Sequence, residues 1–193
     1  MNLPKIVITD IDGVWTDGGM YYYSNGVEGK KFNVSDGFGV ALLRSFGIET
    51  VFLTGEDNEI VHNRAKKLKI KNVIAGVKNK LAAGTSFCKK NGVNLSDVAF
   101  LGNDLNDLPL LEKVGISGVP ADANDYLKTR VDYIMVKNGG EGVFREFVEM
   151  ILNETNLFQD AISILLKTYG DDASWVGLKT RQKISIINIF IIK

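Results

Sequence analysis

The sequence predicts an α/β fold, a central and mainly parallel sheet held between helical layers, and three observations predict it. Short apolar runs such as Ile6-Val7-Ile8 and Val98-Ala99-Phe100-Leu101 lack the polar alternation of a strand with one wet face. Segments with helical spacing of apolar residues lie between these runs, the alternation that builds parallel sheets through crossover helices. The runs also end in acidic, hydroxyl or glycine residues: Asp10-Ile11-Asp12-Gly13, Thr54-Gly55-Glu56 and Gly102-Asn103-Asp104. Ligands of open α/β sheets bind at the carboxyl edge of the strands, so polar groups gathered at strand ends point to a site there.

The first strand, Ile6-Val7-Ile8, leads into Asp10 and Asp12, and Gly13 supplies the break that ends it. Met20-Tyr21-Tyr22-Tyr23 and Lys30-Lys31-Phe32-Asn33-Val34 read as two short strands around a Ser24-Asn25-Gly26 turn. So aromatic a hairpin is a poor independent unit and is expected to be an oligomer contact. Ser35-Asp36-Gly37 opens a helix over 38–46, which Gly47 closes. A second strand over 49–53 precedes Thr54, and an amphipathic helix over 58–68 carries His62, Arg64, Lys66 and Lys67. Val73-Ile74-Ala75 is the third strand, followed by a helix over 78–91. The fourth and fifth strands are 98–101 and 114–119, Tyr133-Ile134-Met135 is an edge strand, and a glycine-rich turn at 138–142 leads into a helix. A further amphipathic helix is expected over 157–169, and 184–192 is intensely apolar but too short to span a bilayer.

A chain of 193 residues, 45% hydrophobic, is long enough for one domain with a sizeable core. Its 23 basic and 23 acidic residues cancel, so no general field draws it to nucleic acid or an anionic membrane, and anion recognition must be local. One cysteine, Cys88, excludes an internal disulfide, and the N-terminal residues lack the pattern of a secretory leader. A cytoplasmic location is expected, with Cys88 as a packing residue.

Four groups of residues suggest chemistry. On an extended chain Asp10 and Asp12 would share one face, and two carboxylates side by side call for a hard cation such as Mg²⁺ between them. An acidic turn closing an ordinary strand would use the same residues. Thr54 and the N–H groups around Gly55 and Glu56 suit an oxyanion. A lysine near a helix N-terminus opposes the helix dipole, so Lys78 or Lys80 is better explained by an anion site than by helix stability. Arg64 and Lys67, three residues apart on one helix face, are candidates for holding a substrate carboxylate, with a solvated basic face as the plain alternative.

Asp10-Ile11-Asp12-Gly13-Val14-Trp15-Thr16-Asp17-Gly18 resembles the first motif of the haloacid dehalogenase (HAD) superfamily of phosphohydrolases. It is most similar to the small, capless branch that acts on 3-deoxy-D-manno-octulosonate (KDO) 8-phosphate and on nine-carbon sugar-acid 9-phosphates. Thr54-Gly55, Lys80 and Gly102-Asn103-Asp104-Leu105-Asn106-Asp107 match the second, third and fourth motifs, and the glycine-rich turn matches the C-terminal signature. The resemblance implies a Rossmann-like (HAD) three-layer sandwich with a hairpin insertion, at about 19–34, in place of a cap. It covers residues 3–152, so 1–152 form the expected phosphatase domain and 153–193 a C-terminal extension with no assigned role.

What the resemblance implies for the site is a Mg²⁺-dependent phosphatase in which Asp10 is the nucleophile and Asp12 the general acid and base. Thr54 and Lys80 would hold the phosphoryl oxygens; Asp10, the Asp12 backbone, Asn103 and Asp104 would hold the metal. Gly55, Glu56, Arg64, Lys67 and Asn106 would contact a phosphorylated sugar acid, with Asp107 in support, in a homotetramer whose subunits roof one another. Asn103 departs from the usual aspartate, although an amide oxygen still coordinates Mg²⁺. Glu56 replaces the arginine common in the eight-carbon enzymes, and together with Gly102-Asn103-Asp104 it tilts the expectation toward nine-carbon substrates. Two other readings use the same residues: a catalytically silent assembly module of the kind attached to sugar-acid cytidylyltransferases, and a receiver-like phosphoacceptor, which has no need of Asp12.

Overall fold

A computed structural model describes residues 1–171. The elements are β1 (Ile6–Thr9), β2 (Tyr21–Tyr22), β3 (Glu28–Gly29), α1 (Asp36–Arg44), β4 (Glu49–Leu53), α2 (Glu59–Lys67), β5 (Asn72–Ile74) and α3 (Lys80–Lys90). They continue with β6 (Val98–Leu101), α4 (Leu108–Leu111), β7 (Ile116–Val119), α5 (Asp125–Lys128), β8 (Tyr133–Ile134), α6 (Val143–Glu154) and α7 (Phe158–Asp171). Six strands form one sheet in the order β5-β4-β1-β6-β7-β8, every neighbouring pair parallel. Chain order reverses at β1, which lies between β4 and β6, so the crevice for a ligand opens at its carboxyl end.

β1, β4 and β6 are buried on both faces almost throughout, as their unbroken apolar runs require. Alternate strand residues feed two cores. Val7, Phe52, Ala99 and Leu101 pack with α1, α2, α6 and α7 on one face; Ile8, Val51, Leu53 and Phe100 pack with α3, α4 and α5 on the other. Cys88 lies in the second core and is buried, a packing residue as expected. The first core continues past residue 152: Ala161 on α7 is fully buried, and Leu157, Phe158, Ile162 and Leu165 pack against it. The apolar run 184–192 lies outside the described residues. Among the described residues no helix is long and apolar enough to cross a membrane.

Two local expectations are corrected. The hairpin pairs Tyr21–Tyr22 with Glu28–Gly29, so 30–34 is not its second strand but the passage into α1. The chain also leaves extended geometry sooner than strand alternation assumed. The Ile11 carbonyl accepts the N–H groups of Val14, Trp15 and Thr16, closing a tight turn in which Gly13 takes φ +80°. Asp12 is therefore aimed by that turn and not by the pleat.

Candidate active site

Four separate segments deliver side chains to a cleft of about 210 Å³ at the carboxyl end of β1, β4 and β6. Asp10 and Asp12 come from the turn after β1, Thr54, Gly55 and Glu56 from the tip of β4, and Lys80 from the first position of α3. Asn103, Asp104 and Asn106 come from the loop after β6. A larger cavity, near 360 Å³, opens beside Thr50 at the start of β4, lined by Arg44, Lys69 and Lys71. It holds none of the expected residues and sits at the other end of the strand.

Lys80 is the hub. Asn79 caps α3, its Oδ1 accepting the Ala82 N–H at 2.9 Å, which fixes Lys80 at the first position of the helix. Its Nζ lies 2.8 Å from Asp10 Oδ2 and 2.6 Å from Asp107 Oδ1, and all three side chains are buried. Burial pushes the Asp10 carboxyl up to about 7, the Asp107 charge pushes the same way, and Lys80 opposes both. Burial works against the Lys80 charge, yet Asp10 and Asp107 together raise the lysine above its ordinary value. Lys78, the alternative, is exposed.

Asp107 builds the β6 loop. Its Oδ2 accepts the N–H groups of Asn103 (2.8 Å) and Asp104 (3.1 Å) while Oδ1 accepts from Lys80. The glycine before this loop is obligatory, because a Cβ at Gly102 would stand 2.7 Å from the Asp107 side chain. Asn103 lies against Gly13, where any Cβ would overlap its amide, and its buried Oδ1 has no hydrogen-bond partner. A buried acceptor without a donor is costly, and a cation relieves the cost. Asn103 thus fits a metal ligand beside Asp10. Among the described residues no three His, Cys, Asp or Glu side chains make a metal cluster by themselves, as expected for a set that includes an amide and a backbone carbonyl.

Thr54 follows β4, its N–H donating to Ile74 O and its carbonyl accepting from Val77 N–H, so the tip of β4 is tied to the end of β5 and the segment that leads into α3. Thr54 Oγ1 accepts the Glu56 N–H at 3.3 Å, leaving its own proton for an anion.

Arg64 and Lys67 do not join this group within the chain. Arg64 is spent on structure: its Nη2 donates to Asn33 O at 2.9 Å, and the guanidinium lies 5.5 Å from the Phe32 ring centroid and 5.9 Å from that of Trp15. Lys67 is exposed on α2. The physical reason is the passage 30–34, which runs as an irregular segment and occupies the space beside α2 with Phe32 and Asn33.

The glycine-rich turn packs behind the site. Gly140 N–H donates to Val14 O at 2.9 Å, and a Cβ at Gly139 would overlap the Gly13 carbonyl, so this segment braces the Asp12 turn from outside the cleft. Arg145 pairs with Glu149 at 2.6 Å along α6, the salt-bridging role open to it from the sequence.

Comparison with known proteins decides the family. Residues 53–147 match the haloacid dehalogenase-like hydrolase family. The chain is 40% identical over 148 residues to the 3-deoxy-D-manno-octulosonate 8-phosphate phosphatase of Haemophilus influenzae, covering 77% of this chain and 82% of that protein. The chain belongs to this family of HAD phosphatases. A Moraxella catarrhalis member solved with magnesium, phosphate and KDO superposes at TM-score 0.80, with 37% identity, over 83% of this chain and 92% of its own. The cobalt-bound Haemophilus influenzae phosphatase superposes at 0.74, with 40% identity, over 78% and 88%. Membership makes the chain a phosphoric monoester hydrolase of Rossmann-like HAD fold, as the four motifs imply. The silent assembly module finds no support in these relatives, which are phosphatases.

One residue of the site escaped the sequence reading. Lys30, just past β3, reaches into the cleft wall and bonds both Asp12 and Glu56. Its only signal was a lysine inside an otherwise aromatic insertion.

Proposed function

We propose that this chain is a Mg²⁺-dependent phosphatase that removes the terminal phosphate of a 2-keto-3-deoxy sugar acid, with KDO 8-phosphate as the leading substrate. The observation that carries the reading is the convergence of Asp10, Asp12, Thr54, Lys80 and Asn103 on one cleft. Asp10 attacks phosphorus in line: its carboxylate oxygen forms a bond to phosphorus as the bond to the sugar oxygen breaks, and Asp12 gives that oxygen a proton. Asp12 then takes a proton from a water that attacks the aspartyl-phosphate, releasing inorganic phosphate and restoring Asp10. Thr54 and Lys80 hold the phosphoryl oxygens through both steps. Asp10, the Asp12 carbonyl, Asn103 and Asp104 would hold Mg²⁺, which when bound would offset the repulsion between the anionic nucleophile and the phosphate.

The single-chain cleft is smaller than the roughly 300–1,000 Å³ usual for a ligand site. It fits a phosphoryl group and leaves most of the sugar outside its walls. A neighbouring subunit is the natural roof, and the exposed Tyr21, Tyr22 and Tyr23 offer the contact for a homotetramer in which Lys67 of α2 meets the substrate carboxylate. Glu56 and Asn106 line the mouth of the cleft, where they would contact the sugar. Glu56, in place of the arginine common in the eight-carbon enzymes that the chain resembles, together with Gly102-Asn103-Asp104, favours a nine-carbon acid as the second reading.

The test is phosphate release from KDO 8-phosphate and from nine-carbon 9-phosphates with added Mg²⁺, wild type against Asp10→Asn. Turnover of KDO 8-phosphate that Asp10→Asn abolishes is the expected result. Release that persists in Asp10→Asn would sink the mechanism, and a clear preference for nine-carbon substrates would move the substrate to the second reading.

A further inference from the structure

The hairpin insertion touches the cleft through one side chain. Lys30 follows β3 directly, and its side chain is 1% exposed although the hairpin around it is open to solvent. Its Nζ lies 2.5 Å from Asp12 Oδ1 and 2.6 Å from Glu56 Oε2. Glu56 Oε2 also accepts from Asn58 Nδ2 at 3.1 Å, and Asn58 is the N-cap of α2, its Oδ1 accepting the Val61 N–H. The lysine therefore joins three parts: the turn after β1, the tip of β4 with the start of α2, and the insertion.

A buried ammonium is tolerated only when it is paired, and charge-assisted bonds of this kind fix geometry where exposed pairs of mobile side chains do not. Asp12 has little else to orient it. Its other side-chain contact is the Thr16 hydroxyl at 3.5 Å, the outer edge of a hydrogen bond.

We propose that Lys30 is a positioning residue for the reaction, aiming the Asp12 carboxyl at the reacting phosphoryl group and coupling that aim to the hairpin. This rests on the reading of Asp12 as the proton-handling group. Movement of the hairpin, by contact with another copy of the chain for example, then reaches Asp12 through a single bond. Lys30 touches Glu56 as well, so its loss also loosens the residue nearest the departing sugar.

An aryl phosphate separates this role from mere stability. Nitrophenolate leaves phosphorus without needing a proton, so formation of the aspartyl-phosphate from p-nitrophenyl phosphate is indifferent to Asp12, whereas its hydrolysis by water is not. With Mg²⁺-loaded Lys30→Met in stopped flow, the expected result is a burst of about one nitrophenolate per active site. A steady state at least about tenfold below wild type follows it, part of the roughly 10²–10⁴-fold that general acid–base catalysis supplies. Lys30→Gln, which keeps a donor of similar length, should show the same pattern more mildly and serves if the methionine variant does not fold. An unchanged steady state, or a first turnover slowed as much as later ones, would overturn the proposal. Asp12→Asn is the control: if it gives the burst and the Lys30 variants do not, Lys30 alone is wrong. If Asp12→Asn gives no burst, the role of Asp12 fails and that of Lys30 with it.

Discussion

At the scale of single residues, two buried charges set the energetics. Lys80 stands at the first position of a helix, where the dipole disfavours it, and is held there by Asp10 and Asp107. Lys80→Met leaves two buried carboxylates facing each other, and removing one partner of a buried pair costs about 3–5 kcal/mol. Urea denaturation should show a loss of that size, together with loss of phosphate release. Asp36 is the second case. It is fully buried at the start of α1; Oδ1 accepts the Arg145 N–H at 3.1 Å, and Oδ2 has no partner. Burial raises its carboxyl from 3.8 to about 6, against smaller opposing effects led by the Arg145 N–H bond. A raised acid binds its proton more tightly in the fold than in the unfolded chain. Its contribution is therefore full below about pH 4 and is lost as pH rises through about 6. The loss amounts to ~3 kcal/mol. Thermal melts from pH 4.5 to 7.5 should show Asp36→Asn gaining on the wild type as pH rises, and a constant difference would refute this.

At the scale of elements, the glycine-rich turn before α6 is the brace of the Asp12 turn. Gly140 has φ +73°, and a Cβ there would stand 2.5 Å from the Asp17 nitrogen. Gly140→Ala combines left-handed strain of roughly 1–2 kcal/mol with displacement of the turn it leans on. The variant should melt lower and hydrolyse substrate more slowly even though residue 140 lies outside the cleft; melting and phosphate release measured together check this. Elements are also where sequence and structure differ most. The helices α2, α3 and α7 were legible to within a residue or two from apolar spacing. The hairpin's second strand was not, because strands of two residues carry no periodic signal and its register follows the turn after Tyr23.

At the scale of the whole molecule, a cleft of about 210 Å³ and an aromatic hairpin on the surface point to assembly. Tyr22, 69% exposed, is the hairpin residue most open to a partner. Tyr22→Asp should shift the mass seen by light scattering from that of the proposed tetramer to smaller species. Turnover of a sugar-acid phosphate should fall more than that of p-nitrophenyl phosphate, which needs no roof. A wild type that is already monomeric at assay concentration would contradict this.

The sequence by itself determined the sheet, its helical layers and the polar carboxyl edge, because these follow from local pattern: apolar runs, helical spacing, and polar groups at strand ends. Resemblance to the HAD motifs singled out Asp10, Asp12, Thr54, Lys80 and Asp107, which the fold gathers at that edge. Only the tertiary structure decided which cations serve the cleft. Arg64 and Lys67 share a helix face by spacing, yet the passage 30–34 packs Phe32 and Asn33 against Arg64, and Lys30 takes the place beside Asp12. A side chain's partner depends on which segments the fold brings within about 3 Å of it, and nothing in the spacing along one segment records what another will bring.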